Sequence, residues 1–266
     1  MKNLLLSEDG IFPVTKDSNG NLLNDLPATR LPFSGTIQGE GKLAGVPSLF
    51  IRLANCNLCC RWTLPNGSIC KCDTFSAFNN EKNRQISVEE AVKIIKHNLG
   101  LLKHIVITGG EPLLQKESLA FLTETLKFET AAHLTLETNG TLFDEKVAQN
   151  IDLFSISPKL KNSNNNFQKR INIEVLQSII DFANKNGKEI QLKFVISRLE
   201  EEVEIKDEFF AHLKNFSVSD IMVMPLGSTI KDLEQTSLIA FEMAVKNGWR
   251  FSPRLHINLF NNKSCV

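Results

Sequence analysis

The sequence predicts an α/β protein built around a parallel sheet, and three observations lead to that prediction. Strand-like segments alternate with helix-like segments along most of the 266 residues. Alternation of this kind favours right-handed βαβ units, in which the strands run parallel. Polar clusters follow several predicted strands, as at Gly109-Gly110-Glu111 and Glu137-Thr138-Asn139. Because ligands of parallel sheets bind at the carboxyl ends of the strands, these clusters indicate a site there.

Each element has a signal of its own. Short segments with apolar and β-branched residues predict strands at residues 46–54, 104–108, 133–138, 151–155, 190–196, 221–224 and 249–252. Ser87, with Glu90 three positions on, predicts a capping box at the start of the first helix. Later helices are predicted around residues 119–126, 173–186 and 233–247. Gly187 and Gly248 are expected to end the last two.

The N-terminal part of the chain differs from the rest. Residues 1–30 lack a clear period and contain Gly10, Pro13, Gly20 and Pro27. They are therefore predicted to be a loosely structured extension. Residues 31–266 have a length that one α/β barrel fills, so they are expected to form a single domain.

Charge and hydropathy limit the classes of partner. Lys plus Arg and Asp plus Glu each number 30, so the formal net charge is zero. That balance gives no overall electrostatic footprint for nucleic acid or for an anionic membrane. No apolar stretch approaches the roughly 20 residues that a membrane-spanning helix needs. We expect a cytoplasmic protein with no direct nucleic-acid partner and no membrane partner.

Five of the six cysteines lie in one short segment: Cys56, Cys59, Cys60, Cys70 and Cys72. Thiolates are soft ligands that suit zinc and iron–sulfur clusters. A zinc site would use four of the five, but zinc modules favour two well-separated cysteine pairs, whereas Cys70 and Cys72 are only two positions apart. The spacing favours an iron–sulfur cluster, with zinc as the alternative. Cys265 stands apart, and no role is predicted for it.

The segment resembles the signature C-x3-C-x2-C of radical S-adenosylmethionine (SAM) enzymes, with an insertion. Cys56 and Cys60 have the spacing of the first two ligands, and Cys72-Asp73-Thr74 resembles the end of the motif. Residues 63–71 would be an insertion within a cluster loop at residues 55–74, expected to form a loop beside the cluster. The resemblance implies a 4Fe–4S cluster on Cys56, Cys60 and Cys72, with Cys59 or Cys70 able to replace one of them.

Gly109-Gly110-Glu111-Pro112 is the second match, because it resembles the turn that binds the amino group of SAM in this superfamily. The resemblance implies an incomplete (β/α)₆ barrel of the TIM-like type. Reductive cleavage of SAM by the cluster would supply a 5′-deoxyadenosyl radical. It also implies SAM contacts from the residues at three strand ends: Gly109, Gly110, Glu111, Glu137, Asn139, Ser157 and Lys159.

Most of the chain, from about residue 31 to His256, resembles the 7-carboxy-7-deazaguanine synthase family. The resemblance rests on residues 36–41, 45–48, 50–53, 137–140, 157–159, 193–195, 224–225 and 252–256. It implies a carbon–nitrogen lyase that contracts the ring of 6-carboxy-5,6,7,8-tetrahydropterin with loss of ammonia. The product, 7-carboxy-7-deazaguanine, is a precursor of queuosine and other 7-deazapurines, which places the enzyme in a tRNA modification pathway.

The resemblance also implies a set of substrate residues: Gln38, Glu40, Arg52, Asp73, Thr108 and His256. A carboxylate at Glu40 suits the guanidine-like edge of a pterin, and Arg52 suits an anionic or carbonyl group. The family uses Mg²⁺, and the residue after Cys72-Asp73, Thr74, is its expected protein ligand. No catalytic side chain is predicted, since the cluster and SAM carry the chemistry.

The expected partners are a second copy of the chain, as a homodimer, and an electron donor such as flavodoxin or ferredoxin. Two alternatives stay open from the sequence. Another small radical SAM enzyme, such as an activase of a glycyl radical enzyme, would share the cysteines and the Gly-Gly-Glu-Pro turn. A non-enzymatic zinc-binding regulatory protein would need the cysteines but not the polar clusters at the strand ends.

Overall fold

The structure is a computed structural model that describes residues 2–72 and 81–266. Its strands, in chain order, are β1 (Asn3–Phe12), β2 (Thr36–Ile37), β3 (Pro47–Leu53), β4 (Arg61–Thr63), β5 (Ile69–Lys71), β6 (Arg84–Ser87), β7 (His104–Gly109), β8 (His133–Thr138), β9 (Leu153–Ile156), β10 (Glu189–Ile196), β11 (Ile221–Pro225) and β12 (Arg250–Phe251). All except β4 and β5 belong to one large sheet.

The large sheet has the spatial order β12-β11-β10-β9-β8-β7-β3-β1-β6, with β2 beside β3. Strands β3 and β7 to β12 run parallel. Strands β1, β2 and β6 are antiparallel to their neighbours. The parallel α/β architecture is confirmed. The sheet order ends at β12 and β6 without closure, as expected for an incomplete barrel.

The helices are α1 (Val88–Leu99), α2 (Lys116–Glu129), α3 (Glu145–Ala148), α4 (Phe167–Arg170), α5 (Ile173–Lys185), α6 (Glu201–Glu204), α7 (Ile230–Asn247) and α8 (Leu255–Phe260). Helices α2 to α7 lie between successive parallel strands, α1 connects β6 to β7, and α8 follows β12. Ser87 caps α1 by accepting a hydrogen bond from the Glu90 backbone at 3.0 Å. The capping box is incomplete, because the Glu90 carboxylate pairs instead with Arg84. Gly187 and Gly248 have positive φ values just beyond α5 and α7, as predicted.

The apolar faces of the helices pack on the parallel strands. Leu49, Ile51, Ile105 and Ile107 have no solvent exposure, and α1 presents Ile95 to the same core. Burying a side chain of this size stabilises a fold by roughly 1.5–3 kcal/mol. The strands are thereby held in register, so that their carboxyl ends meet at one edge. In the described part of the chain, no helix is both long enough and apolar enough to span a membrane.

The prediction that the N-terminal residues are loosely structured is wrong for residues 3–12. These residues form β1, which pairs with β3 on one side and β6 on the other. Leu4 and Leu6 are buried in the same core as β3. The sequence signal is weak because an irregularity between Leu6 and Ile11 breaks the alternation of buried and exposed positions.

The insertion in the cysteine segment is more regular than the predicted loop. Strands β4 and β5 pair as an antiparallel hairpin, with Trp62 opposite Cys70. Both of these side chains are buried, whereas Ile69 is 61% exposed. The Trp62 indole N–H donates to Asn162 Oδ1 at 3.1 Å, which ties the hairpin to the loop after β9. The insertion therefore forms most of an ordered β-hairpin within the cysteine segment.

Candidate active site

A cavity of about 430 Å³ lies at the carboxyl ends of the parallel strands. This volume is within the range of small-molecule sites. Each predicted site residue that the structure describes lines the cavity, with the exception of Glu111. The common location follows from topology, because parallel strands bring the residues that follow them to one edge. Asp73 and Thr74 lie outside the described residues, so their predicted roles stay predictions.

Four thiols of the cysteine segment form part of the cavity wall: Cys56, Cys60, Cys70 and Cys72. Cys60 and Cys70 are buried, and Cys56 and Cys72 pack against the same apolar cluster. Cys59 is exposed and does not line the cavity. Its position outside the cavity therefore distinguishes Cys59 from the other candidate cluster ligands. It leaves Cys70 beside the three predicted ligands.

Two of the thiols already receive hydrogen bonds at sulfur. The Leu58 backbone N–H donates to Cys56 Sγ at 3.4 Å. The Asn165 amide donates to Cys60 Sγ at 3.3 Å. Donors to sulfur stabilise a thiolate, and hydrogen bonds of this kind tune iron–sulfur clusters. Soft sulfur ligands with N–H donors beside them fit an iron–sulfur cluster at this segment, and the assignment of Cys56, Cys60 and Cys72 as its three ligands stays a prediction.

The Gly109-Gly110 turn packs directly on the chain that leads into the first cysteine. Gly109 has φ +148°, and a Cβ on Gly110 would lie 2.1 Å from the Asn55 carbonyl oxygen. Side chains at these positions would collide with the backbone. The Glu111 N–H donates to the same Asn55 oxygen at 2.8 Å. The glycines thus dock the turn against the cysteine segment while their backbone lines the cavity.

Glu111 is fully buried beneath the cavity wall. Its carboxylate accepts hydrogen bonds from the Leu113 and Asn139 backbone N–H groups, at 3.1 and 2.8 Å, and from the Thr138 hydroxyl. Burial raises the pKa of this carboxyl, against the lowering by these hydrogen bonds. The side chain is therefore placed to brace the ends of β7 and β8 against each other. This position does not support the predicted direct contact of Glu111 with SAM.

The other strand ends present polar side chains to the cavity in pairs. Lys159 Nζ donates to Ser157 Oγ at 2.8 Å after β9. Gln38 Nε2 donates to Glu137 Oε1 at 3.1 Å, which joins the loop after β2 to β8. Asn139 is fixed after β8 by a hydrogen bond of 2.9 Å from its amide to the Asn57 side chain within the cysteine segment. These pairs connect the thiols with the polar half of the cavity.

Glu40 also lines the cavity and is held between two cations. Lys193 Nζ pairs with Glu40 Oε2, and Arg254 Nε lies 2.9 Å from Oε1. His256 Nε2 is 3.9 Å from Oε1. Burial by itself would raise the pKa of Glu40, but Lys193, Arg254 and His256 outweigh it and hold the pKa far below its usual range. Glu40 is therefore an ionised carboxylate in a cationic setting.

The C-terminal block docks closely on the loop that carries Glu40. The Leu255 N–H donates to the Gly39 carbonyl oxygen at 2.9 Å. A Cβ on Gly39 would lie 2.0 Å from His256 Nδ1, so a larger residue here would displace the imidazole. The two blocks, distant in sequence, therefore form one wall of the cavity, which includes His256. Thr108 lines the same cavity from the end of β7.

Lys193 and Arg254 were not among the predicted site residues. Lys193 lies in the middle of β10, a strand that is otherwise mostly apolar, and is buried. A buried charge normally requires a partner of opposite sign, so a lysine inside an apolar strand was the available signal. Arg254 belongs to the Ser-Pro-Arg-Leu-His segment, but its pairing with Glu40 depends on tertiary contact. Neither partner is identifiable from sequence spacing.

Arg52 on β3 has a different partner. Its Nε lies 2.9 Å from Asp9 Oδ2, and its guanidinium lies over the Phe12 ring at 5.2 Å from the centroid. Both Asp9 and Phe12 come from β1 and line the cavity. Cys265 also lines it, and its Sγ donates to Asp9 Oδ1 at 3.1 Å. The two ends of the chain thus contribute to the site, which the sequence did not predict.

Comparison with known protein families identifies the superfamily of this chain. The model of the radical SAM superfamily matches residues 53–238, well over half of the chain. The chain belongs to the radical SAM superfamily, whose members use a 4Fe–4S cluster and SAM. The alternative of a non-enzymatic zinc-binding protein is therefore wrong.

Two relatives and one solved structure narrow the assignment. The 7-carboxy-7-deazaguanine synthase of Halobacterium salinarum is 31% identical over 92% of this chain and 94% of its own length. That of Hyperthermus butylicus is 36% identical over 84% and 88%. Within the superfamily, the chain belongs to the 7-carboxy-7-deazaguanine synthase family. The crystal structure of QueE from Escherichia coli shares the fold, with a TM-score of 0.57, 24% identity and coverage of 92% and 95%.

Proposed function

We propose that this protein converts 6-carboxy-5,6,7,8-tetrahydropterin to 7-carboxy-7-deazaguanine with loss of ammonia, as a step toward queuosine and other 7-deazapurines. The observation that carries the proposal is one cavity with two chemically distinct halves. One half presents Cys56, Cys60 and Cys72, and the other presents the Glu40 carboxylate between Lys193 and Arg254. A radical SAM enzyme without a polar substrate needs only the first half. Glycyl radical enzyme activase, the alternative within the superfamily, is therefore disfavoured.

The protein's share of the chemistry is binding, orientation and exclusion of water. When bound, the cluster and SAM supply a 5′-deoxyadenosyl radical that abstracts hydrogen from the substrate. Gly109, Gly110 and Asn139 lie next to the cysteine segment and are proposed to hold SAM, together with Glu137, Ser157 and Lys159. Fixed polar groups at these strand ends orient the cofactor without the cost of reorganising water.

The substrate half recognises a flat, polar heterocycle. We propose that Glu40 accepts hydrogen bonds from the guanidine-like edge of the pterin, and that Arg52 binds an anionic or carbonyl group. Gln38, Thr108 and His256 complete the wall on this side. Because Glu40 is ionised by Lys193 and Arg254, it can act as an acceptor throughout the neutral pH range. Asp73 is proposed to join this set on the strength of the motif alone.

Mg²⁺ is proposed as a further ligand, held by the Thr74 hydroxyl and by oxygens of the substrate. A hard cation prefers oxygen ligands and keeps several waters, so one protein hydroxyl is sufficient. We also propose that the protein acts in the cytoplasm as a homodimer and takes electrons from a flavodoxin or a ferredoxin. Size-exclusion chromatography with light scattering tests the dimer, and reduction of the cluster by each donor tests the electron source.

An anaerobic assay of the cluster-loaded protein tests the proposed reaction. The mixture contains SAM, a reductant, Mg²⁺ and 6-carboxy-5,6,7,8-tetrahydropterin, and products are identified by mass spectrometry. We expect 7-carboxy-7-deazaguanine without matching consumption of SAM, and a lower yield when Mg²⁺ is omitted. Formation of 5′-deoxyadenosine from SAM with no deazaguanine would contradict the substrate assignment while leaving the superfamily assignment in place.

A further inference from the structure

A local irregularity in β1 directs an acidic side chain into the cavity. Leu6 pairs with Leu53 and Ile11 with Ile51, so five steps along β1 match only two along β3. Gly10 has φ +62° within this bulge. Bulges redirect side chains and occur often beside active sites. Here the bulge carries Asp9, which lines the cavity although it lies far outside the residues matched by the superfamily model.

Two side chains contact the Asp9 carboxylate. Its Oδ2 lies 2.9 Å from Arg52 Nε, and its Oδ1 accepts a hydrogen bond from Cys265 Sγ at 3.1 Å. The Asp9 side chain is 10% exposed and that of Arg52 17%. Burial, followed by Asp9 itself, raises the pKa of the Cys265 thiol to about 12, so this thiol stays protonated and can donate. The acidic group is therefore fixed by one contact from β3 and one from the C-terminal segment.

Arg52 also lies beside an aromatic pair. Phe12 stacks with Phe50 at 5.4 Å between ring centroids, and the Arg52 guanidinium lies over the Phe12 ring. The Asp9 contact is an ion pair without hydrogen-bond geometry, since buried Arg52 Nε has no hydrogen-bond partner among the described residues. The Arg52 side chain is 17% exposed and lines the cavity, so its guanidinium is placed to meet an incoming oxygen ligand.

We propose that Asp9 is a positioning residue that orients the Arg52 guanidinium toward the oxygen atoms of the substrate. An arginine side chain loses much rotamer freedom when it is fixed, and a ligand that has to fix it binds less tightly. The Asp9 carboxylate fixes Arg52 before the substrate arrives. The N-terminal strand is thereby a part of the substrate site. The inference rests on the proposed function, because it concerns the same substrate half of the cavity.

Steady-state kinetics with 6-carboxy-5,6,7,8-tetrahydropterin tests the proposal. Asp9→Asn keeps the size of the side chain and removes its charge, so we expect KM for the pterin to rise by about tenfold or more. The KM for SAM and the iron content are expected to match the wild type. Asp9→Glu retains the carboxylate and is expected to recover part of the lost affinity. Glu8→Gln is the matched control, since Glu8 is the exposed neighbour that pairs with Lys82 outside the cavity.

A double-mutant cycle distinguishes positioning from general stabilisation. In an Arg52→Gln background, Asp9→Asn is expected to have little further effect on KM, because the residue that it positions is gone. The inference is overturned if Asp9→Asn leaves KM within about twofold of the wild type, or if its effect persists without Arg52. An inactive wild type would instead overturn the proposed function and this inference with it.

Discussion

Arg254 Nε lies 2.9 Å from Glu40 Oε1, and this contact joins two segments 214 residues apart. Lys193 pairs with the second oxygen of the same carboxylate from the middle of β10. All three side chains are largely buried, so each charge depends on the others for compensation. The group closes the substrate side of the cavity and connects the N-terminal loop, the sheet and the C-terminal block.

Removal of the Lys193 charge is expected to destabilise the fold. Lys193→Met leaves Glu40 buried with Arg254 as its remaining close cation, and breaking a buried pair costs about 3–5 kcal/mol. Equilibrium unfolding in urea measures the effect. Lys82→Met is the control, because Lys82 belongs to an ion pair that is about half exposed, and loss of such a pair costs about 1 kcal/mol or less. Equal costs in the two variants would contradict the assigned role of Lys193.

The cysteines are expected to divide into two groups. Alanine at Cys56, Cys60 or Cys72 should abolish cluster binding, because three thiolates are needed to hold the cluster. Cys59→Ala should retain the cluster, because Cys59 is exposed and outside the cavity. Iron and sulfide content after anaerobic reconstitution is the measurement.

Cys70 is the closer structural match to the three predicted ligands, since it is buried and lines the same cavity. We expect Cys70→Ala to keep the cluster. Loss of the cluster in this variant, with retention in Cys72→Ala, would transfer the third ligand from Cys72 to Cys70.

Glu111 is expected to affect SAM binding without contacting SAM. In Glu111→Gln the amide would place N–H donors against the Leu113 or Asn139 N–H groups, which now donate to the carboxylate. A buried donor without an acceptor costs about 1–3 kcal/mol, and the β8 turn should shift. We expect SAM affinity to fall by about tenfold in equilibrium binding. Glu129→Gln, which alters a surface pair with Lys96, serves as the control. Unchanged SAM affinity in Glu111→Gln would show that the brace is dispensable.

His104 is expected to make stability depend on pH. Its ring lies between Ser48 Oγ and Thr135 Oγ1 at 2.6 and 2.8 Å, and burial followed by His133 lowers its pKa to about 4. An unfolded histidine titrates near pH 6.5, so the unfolded chain binds the extra proton between these values. The stability contribution is therefore full above about pH 6.5 and is lost as pH falls toward 4, up to about 3 kcal/mol.

Thermal unfolding between pH 4 and 7 measures this dependence. We expect His104→Gln to show a shallower fall of stability with acid than the wild type, and exposed His212→Gln to keep the wild-type slope. A wild-type slope in His104→Gln would assign the acid sensitivity to other groups.

Much of the architecture was predictable because it depends on local periodicity. The segment at residues 133–138 coincides with β8, and Gly248 ends α7 as the sequence predicted, in a left-handed conformation. The parallel arrangement followed from alternation of strands and helices, and it placed the polar strand ends at one edge. β1 was missed because its bulge interrupts the two-residue period on which strand prediction depends.

The sequence by itself determined the chemistry that the protein can hold: thiolates in a spacing for a cluster, a glycine turn, and polar residues after the strands. The tertiary structure decided which groups act together. It turned Glu111 inward as a brace, held Glu40 between Lys193 and Arg254, and joined Asp9 to Arg52 and Cys265. The physical reason is that ion pairs and hydrogen bonds act over a few ångströms in space. Their partners here are separated by tens to hundreds of residues along the chain, where no local pattern records them.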